Sequence, residues 1–177
     1  MRAIMIREAG GPEVLELQEV PDPEPGEGQV LVRVEAAAVN HFDLTQRRDP
    51  HATGASPPFT PGLDAAGTRL DTGERVLVSG ALGAYAELLA APRENVWPIP
   101  DSLDIARAAA LGVVYKTAWA SLTDGGLQRG DTLLVQAGLT QSVAPCSSRA
   151  LPRSPQADGS SPRERSKARS SRSTSGW

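Results

Sequence analysis

Short runs of alternating apolar and polar residues follow one another from the N-terminus to about Pro98. In the clearest run, residues 29–39, the valines Val30, Val32 and Val34 face one way and Arg33 and Glu35 face the other. An alternation of period two is typical of a strand with one buried face, and the Pro and Gly residues between the runs favour turns. The pattern therefore predicts a mainly β domain with some α structure, in the form of a small barrel or curled sheet.

Other elements follow from the same pattern. Further strands are predicted at residues 2–6, 14–20, 64–70, 74–79 and 84–91, with a proline-rich loop over 49–61. Asn40 follows a strand and is a good N-cap for a short helix over 41–48. Asp101 or Ser102 is expected to cap a helix. The Ala- and Leu-rich stretch Ile105–Leu122 predicts two consecutive helices that break near Gly112.

The core-forming pattern continues into a strand predicted over 131–137 and stops at Gly138. Residues 141–177 contain eleven serines, seven basic residues and four prolines, with few large apolar side chains. Such a composition cannot bury a core, so this tail is predicted to be disordered. We expect three parts: a folded domain at 1–122, a short continuation at 123–140, and the tail.

The net charge of −3 is divided unevenly along the chain. Residues 1–140 carry 11 basic and 19 acidic residues, a net charge of −8, whereas residues 141–177 carry 7 and 2, a net charge of +5. A basic Ser/Arg-rich tail could bind the phosphates of nucleic acids. The segment is short and has no stacking aromatic residue apart from Trp177, so nucleic-acid binding is the less favoured interpretation.

Cysteine content and hydropathy restrict the environment of the protein. The single cysteine, Cys146, excludes an intramolecular disulfide, which is typical of cytoplasmic proteins. No apolar stretch approaches the ~20 residues that span a bilayer, and the chain begins with a strand-like segment instead of a signal peptide. We therefore expect a cytoplasmic protein that does not insert into membranes.

Several short motifs resemble a known family in their order and spacing. Together they resemble the medium-chain dehydrogenase/reductase superfamily, specifically its zinc-independent NADPH:quinone oxidoreductase (zeta-crystallin-like) branch, over about residues 1–140. The motifs are Gly10-Gly11-Pro12-Glu13-Val14-Leu15, Val39-Asn40 with Asp43, Pro61-Gly62-Leu63-Asp64-Ala65-Ala66-Gly67, Gly73-Glu74-Arg75-Val76, Gly83-Ala84-Tyr85-Ala86-Glu87, and Ala108-Ala109-Ala110-Leu111 with Thr117-Ala118.

The resemblance implies a fold and an activity. Residues 1–122 would form a GroES-like β-barrel catalytic domain with the helices that follow it, and 123–140 would begin a Rossmann domain that binds NADPH. The active site would lie in the cleft between the two domains. The implied reaction is reduction of a quinone or a conjugated carbonyl by hydride transfer from NADPH, without zinc, in a homodimer formed through the Rossmann sheet.

The resemblance also implies site residues. Asn40 matches an Asn that contacts the nicotinamide ribose or the substrate carbonyl, although its residue type and position favour a helix cap. Thr117 matches a Thr near the nicotinamide, or it bonds its own helix backbone. Gly138 would open the turn that holds the pyrophosphate. Thr45 and His51 stand where the family often has tyrosines; His51 could donate a hydrogen bond or a proton, or be a solvated surface residue.

Two departures from the family pattern affect the predicted chemistry. Residues 139–145 lack the glycines of the family's pyrophosphate-binding turn, and Pro145 would obstruct its helix. We interpret this break as a frameshift near residue 140. The chain would then be a truncated, inactive form that does not bind NADPH tightly and has lost the dimer contact. The alternatives are a stand-alone GroES-like binding module and a nucleic-acid binder.

The second departure concerns zinc. Zinc-dependent alcohol dehydrogenases have a Cys at the position of Asn40 and a further four-Cys lobe, whereas the sole cysteine here lies in the tail. His41 and His51 cannot form a site alone, so no metal is expected. Asp43 and Asp64 are interpreted as structural residues.

Overall fold

The computed structural model of the chain describes residues 1–134. Within this range it contains seven strands and three α-helices, joined by turns that include three short 3-10 segments. The elements are β1 (Arg2–Met5), β2 (Glu16–Glu19), β3 (Gln29–Ala38), α1 (His41–Arg48), β4 (Asp64–Arg69), β5 (Arg75–Ser79), β6 (Leu88–Pro92), β7 (Val96–Pro98), α2 (Ile105–Ala109) and α3 (Gly112–Asp124), with 3-10 segments at Pro12–Val14, His51–Thr53 and Arg93–Asn95.

Five of the strands form one antiparallel sheet in the order β6-β3-β4-β5-β7, and β1 pairs with β2 in a separate antiparallel ladder. The long strand β3 lies inside the sheet, next to the edge strand β6, and pairs with β4 on its other side. Isolated bridges between Ala3 and Ala86 and between Ile6 and Phe59 attach the first strand to the rest of the domain. The prediction of a mainly β domain with few helices is confirmed.

The alternation of apolar residues along the sequence corresponds to an alternation of buried and exposed side chains in the sheet. Val30 and Val32 are buried on one face of β3, as the period-two pattern predicts. The core on this face consists of Val30, Val32, Ala65, Val76, Val78, Ala81, Ala84, Leu89 and Ala91. Strand β4 is buried on both faces, because Ala65 joins this core while its neighbour Ala66 packs beneath α2.

Helix α2 covers the second face of the sheet. Its residues Ala108 and Ala109 pack against Ala66, and these small side chains let the helix approach the strand closely. The carboxylate of Asp104 caps the helix by accepting the Arg107 backbone N–H at 3.1 Å. The prediction of Asp101 or Ser102 as the cap is therefore wrong. Both belong to the preceding turn, in which the Leu103 N–H bonds to the Pro100 carbonyl.

Helix α3 begins after a break at Ala110 and Leu111, as predicted near Gly112. Its surface is largely open, since Val114, Tyr115 and Trp119 are each more than half exposed. The Tyr115 and Trp119 rings stack on each other with their centroids 6.4 Å apart. Among residues 1–134, no helix is both long and apolar enough to cross a bilayer.

Two predicted strands differ from the structure. The strand expected over 84–91 is formed only at Leu88–Pro92, because the backbone N–H groups of Ala84 and Tyr85 bond to the loop carbonyls of Gly62 and Pro61. Residues 131–134 are not a strand, and the Asp131 carboxylate accepts the Gln128 N–H in a turn. The rest of that predicted strand, Gly138 and the tail lie outside the described residues.

Candidate functional site

Asn40 lies between the end of β3 and the start of α1. It is the N-cap residue of α1, as predicted, and its backbone N–H donates to the Asp43 carboxylate at 2.8 Å. The Asn40 side chain points across the domain, and its Nδ2 donates to Asp64 Oδ2 at 2.9 Å. The residue is only 2% exposed, so this amide is a buried polar group that needs such a partner.

Asp64 connects Asn40 to helix α3. It is the first residue of β4, is 1% exposed, and its Oδ2 also accepts the Val113 backbone N–H at 2.8 Å in the first turn of α3. A carboxylate at this end of a helix is favourable because the unpaired N–H groups and the helix dipole are positive there. Gly112 makes the approach possible, since a Cβ at this position would overlap the Asp64 carboxylate.

Asp43 is the second buried carboxylate of the site. Its Oδ2 accepts the Asn40 N–H and also the Tyr85 hydroxyl, which donates at 2.7 Å. Burial raises the pKa of Asp43; the two hydrogen bonds oppose this shift and the negative charge of Asp64 adds to it. The pKa of Tyr85 is raised by burial and, in second place, by its hydrogen bond to Asp43, so the hydroxyl stays a donor.

We call these groups the Asn40 cluster: the side chains of Asn40, Asp43, Asp64 and Tyr85 and the backbone N–H of Val113. Three oxygen atoms of the cluster are buried without a hydrogen-bond partner among residues 1–134, namely Asn40 Oδ1, Asp43 Oδ1 and Asp64 Oδ1. Unpaired buried acceptors are rare in folded proteins and mark places where a donor would be bound favourably. The cluster is therefore our candidate functional site.

The other predicted site residues lie apart from the bonded cluster. Thr117 is exposed on α3 and its hydroxyl donates to the Val113 carbonyl at 2.8 Å, the backbone bond expected as the alternative to a ligand contact. His51 is exposed in the 3-10 segment beside α1. Thr45 bonds the His41 carbonyl. Gly138 lies outside the described residues.

Sequence reasoning missed the place of Tyr85 and Asp64 in this site. Tyr85 was noted only within the motif Gly83–Glu87, and its bond to Asp43 joins residues 42 positions apart. Asp64 was interpreted as structural, and the structure brings it together with Asn40 and α3. The sequence contains one signal that could have identified Asp64. It is the only charged residue in the Gly- and Ala-rich segment 62–67, whose other residues are suited to burial, and buried charged residues are rare unless they have a partner.

Two open grooves on the described surface lie apart from Asn40, Asp43 and Asp64. One groove has a volume of about 560 Å³, and a second, of about 320 Å³, includes Tyr85 in its wall. No group of three or more His, Cys, Asp and Glu side chains that could hold a metal ion occurs in the described part of the chain. The segment that would hold a pyrophosphate lies beyond residue 134.

Comparison with known proteins gives a consistent family. The family model of the alcohol dehydrogenase GroES-like domain matches residues 26–101. Over 147 residues the chain is 40% identical to the quinone oxidoreductase of Lama guanicoe and 37% identical to that of Mus musculus. Each match covers 76% of this chain and 44% of the relative. The chain thus spans less than half the length of these curated relatives.

The fold comparison agrees with the sequence comparison. The quinone oxidoreductase of Thermus thermophilus, whose structures include a complex with NADPH, matches with a TM-score of 0.68 and 35% identity. That match covers 74% of this chain and 43% of the other. The β domain and its following helices thus match the GroES-like part expected from the motifs, and over this part the chain is similar to quinone oxidoreductases of the medium-chain dehydrogenase/reductase superfamily.

Proposed function

We propose that this chain carries the catalytic GroES-like part of a cytoplasmic, NADPH-dependent oxidoreductase that reduces quinones or conjugated carbonyls without zinc. The Asn40 cluster is the observation that carries this proposal. It joins the end of β3, the start of β4 and the first turn of α3 in one buried polar network, in a domain whose relatives are quinone oxidoreductases. Its unpaired acceptors fit the hydroxyl and amide donors of a nucleotide cofactor.

In the proposed reaction, bound NADPH would supply the hydride. Asn40 and Thr117 would contact the nicotinamide end of the cofactor, and Gly138 would lie near the pyrophosphate. His51 would donate a hydrogen bond or a proton to the carbonyl oxygen of the substrate, which gains negative charge as the hydride arrives. Its exposed position leaves the imidazole accessible to a substrate.

We further propose that the chain as it stands neither binds NADPH tightly nor turns over substrate. The support comes from residues 139–145, which lack the glycines that bring the backbone close to a pyrophosphate. The frameshift near residue 140 and the loss of the family's dimer contact belong to the same proposal. Helix α3 supports it too, because its exposed Val114, Tyr115 and Trp119 resemble a face made for contact with more protein.

NADPH titration followed by cofactor fluorescence tests the proposal. The chain would be compared with a version whose sequence after residue 140 is restored to the predicted frame. We expect binding and quinone reduction by the restored chain only. Replacing Asn40 with Ala should weaken binding by the restored chain, whereas Asn95→Ala serves as a matched control because the Asn95 amide donates to the Gly80 carbonyl, away from the Asn40 cluster. Tight binding by the unrestored chain would contradict the second part of the proposal.

A stand-alone binding module is the second candidate function. The observation in its favour is the sheet core, whose residues between 30 and 91 are buried among themselves and beneath α2 within the described part of the chain. Sedimentation of the purified chain separates the two candidates. A stable monomer would favour the module, whereas aggregation that is relieved by Trp119→Lys would favour a fragment with an uncovered helix.

A further inference from the structure

Strand β2 has a free edge. It pairs with β1 and has no second partner strand among residues 1–134. The main chains of Met1 and Val20 exchange hydrogen bonds of 2.9 Å in both directions. Because hydrogen-bonded and non-hydrogen-bonded pairs alternate in an antiparallel ladder, the N–H and C=O groups of Leu17 and Glu19 point away from β1. Leu17 is 64% exposed, so these backbone groups are open to a further strand.

The surface around this edge is acidic. From residue 8 to residue 28 the chain has no basic side chain, and its acidic side chains are all exposed, namely Glu8, Glu13, Glu16, Glu19, Asp22, Glu24 and Glu27. Asp22 is bound by the N-terminal ammonium, whereas Glu16 and Glu19 form no ion pair among the described residues. Arg2 lies opposite Glu19, but its guanidinium is bound to Glu87. The excess of negative charge at the edge attracts a basic partner.

These charges decide between the possible partners of the edge. A second copy of β2 would bring Glu16 and Glu19 against the same side chains, so repulsion between like charges opposes pairing between two copies. A basic extended segment is favoured instead, because it neutralises the acidic side chains while its backbone continues the ladder. The chain itself contains such a segment beyond residue 134.

Residues 163–169 have a basic side chain at every second position. Arg163, Arg165, Lys167 and Arg169 alternate there with Glu164, Ser166 and Ala168. The segment belongs to the part of the chain with a net charge of +5, outside the described residues. In an extended strand this alternation places all four cations on one face. Glu16 and Glu19 lie on opposite faces of β2, so an added strand has its basic face beside one of them in either orientation.

We propose that residues 163–169 add to the free edge of β2 as a third strand of the β1–β2 ladder, held by backbone hydrogen bonds and by attraction between the basic segment and the acidic surface. This inference goes beyond the proposed function and does not depend on it. A flexible chain from residue 134 to residue 163 has a root-mean-square end-to-end distance of about 30 Å, against a radius of gyration of about 14 Å for the described domain. The segment therefore reaches the edge, at an effective concentration of about 1 mM or more.

Amide hydrogen exchange, followed by NMR in the 15N-labelled full chain, tests the docking. We expect the Leu17 and Glu19 amides to exchange about tenfold more slowly in about 0.1 M salt than in about 1 M salt, where the Debye length is about 3 Å instead of about 10 Å. The Gln18 N–H points toward β1 and should remain protected in both, as a control for the ladder. Fast exchange of Leu17 and Glu19 at both salt concentrations would overturn the proposal.

A matched pair of tail variants separates strand addition from general attraction. The first variant removes three positive charges from the alternating segment, by Arg163→Ser, Arg165→Ser and Arg169→Ser. The second removes three from elsewhere in the tail, by Arg149→Ser, Arg153→Ser and Arg172→Ser. We expect the first variant to abolish the protection of Leu17 and Glu19 and the second to keep most of it. Equal losses would contradict the proposal, because protection would then depend on total charge and not on this segment.

The acidic side of the contact is tested by Glu16→Gln combined with Glu19→Gln. Both side chains are exposed, so the double variant should keep the ladder and a protected Gln18 amide while it loses the protection of Leu17 and Glu19. Protection that survives the double variant would count against the charge attraction and overturn the proposal.

Dilution identifies the source of the docked segment. Protection by the chain's own tail is independent of protein concentration, because the contact forms within one molecule. We therefore expect the same exchange rates after about tenfold dilution of the wild type. Protection that falls on dilution would assign the edge to the tail of a second copy and would overturn docking within one chain.

Discussion

The five-stranded sheet and helix α3 use similar residues in opposite ways. Val30, Val32 and Val76 are almost completely buried in the sheet, whereas Val114 in α3 is 51% exposed. Tyr115 and Trp119, the largest side chains of α3, are more exposed still. The apolar side chains of the sheet are thus buried by other residues of the domain. The large apolar side chains of α3 are not covered by any other part of residues 1–134. The comparison indicates that burial of apolar side chains stabilises the sheet more than it stabilises α3.

The two regions are joined at few points. The Val113 N–H at the start of α3 bonds to Asp64, the first residue of β4. One turn along, the Lys116 ammonium lies 4.7 Å from the centre of the Trp97 ring on the edge strand β7. Changes in the sheet should therefore affect the whole domain, and changes in α3 beyond Lys116 should act locally.

The largest loss of stability is expected from Gly67→Ala. A Cβ at Gly67 would overlap the Arg33 carbonyl of the neighbouring strand β3, beside the bulge between Val34 and Ala36. A backbone atom cannot rotate aside, so the two strands must separate, at a cost of about 3 kcal/mol in the free energy of unfolding. Urea unfolding followed by circular dichroism measures this loss.

Gly26→Ala is the control for this substitution. Its nearest obstacle is Oε1 of Gln29 at 3.4 Å, the end of a flexible side chain. The change should alter the free energy of unfolding by no more than about 0.5 kcal/mol. Equal losses in the two variants would mean that the close contact between β3 and β4 does not limit the stability of the sheet.

A matched pair of valine substitutions tests the comparison itself. Val32→Ala removes two methyl groups from a fully buried side chain and should cost about 2 kcal/mol of unfolding free energy. Val114→Ala makes the same chemical change on the exposed side of α3 and should stay within about 0.5 kcal/mol, since Ala is also the better helix former. A large loss from Val114→Ala in the same urea experiment would show that α3 is covered in solution.

Asp43 should make the stability of the domain depend on pH with an unusual sign. Because burial raises its pKa, the folded protein holds the Asp43 proton more tightly than the unfolded chain does. The contribution of Asp43 to stability is greatest when its carboxyl group is protonated. It declines as the pH rises from the pKa of the unfolded chain, about 4, through the higher pKa of the folded protein. Asp43→Asn lacks this titration, so its free energy of unfolding should gain on that of the wild type as the pH rises above about 4.

Asp71→Asn should change the pH dependence of the free energy of unfolding in the opposite direction. Its carboxylate is exposed, and the hydrogen bond from Arg69 holds its pKa below the ordinary value. Its stabilising effect is present above the unfolded pKa and disappears as the pH falls, so Asp71→Asn should lose slightly against the wild type at neutral pH. Urea unfolding of both variants at several pH values checks the prediction, and the same slope for both would contradict it.

Sequence reasoning predicted the sheet more fully than the site. The alternation of Val30 and Val32 reports burial directly, because the side-chain period of a strand is visible in the sequence. The cap of α2 was misplaced from Asp104 to Asp101 or Ser102, since a turn before the helix uses residues of the same type. No local sequence pattern predicts that Tyr85 donates to Asp43 or that Asp64 accepts the Val113 N–H at the start of α3. These contacts depend on the register of strands far apart in the chain, and the family motifs contained the residues without assigning them to the site.

The smallest effect is expected where α3 touches the sheet edge. Lys116→Gln keeps the helix propensity but removes the cation above the Trp97 ring, and should cost about 0.5–1 kcal/mol of unfolding free energy. Lys116→Arg keeps the cation and should restore most of the loss. A double-mutant cycle with Trp97→Leu isolates the pair, because in the absence of the ring Lys116→Gln should have little effect. A coupling energy near zero would mean that the contact between Lys116 and Trp97 does not help to attach α3 to the sheet, whereas the hydrogen bond from the Val113 N–H to Asp64 would remain as an attachment.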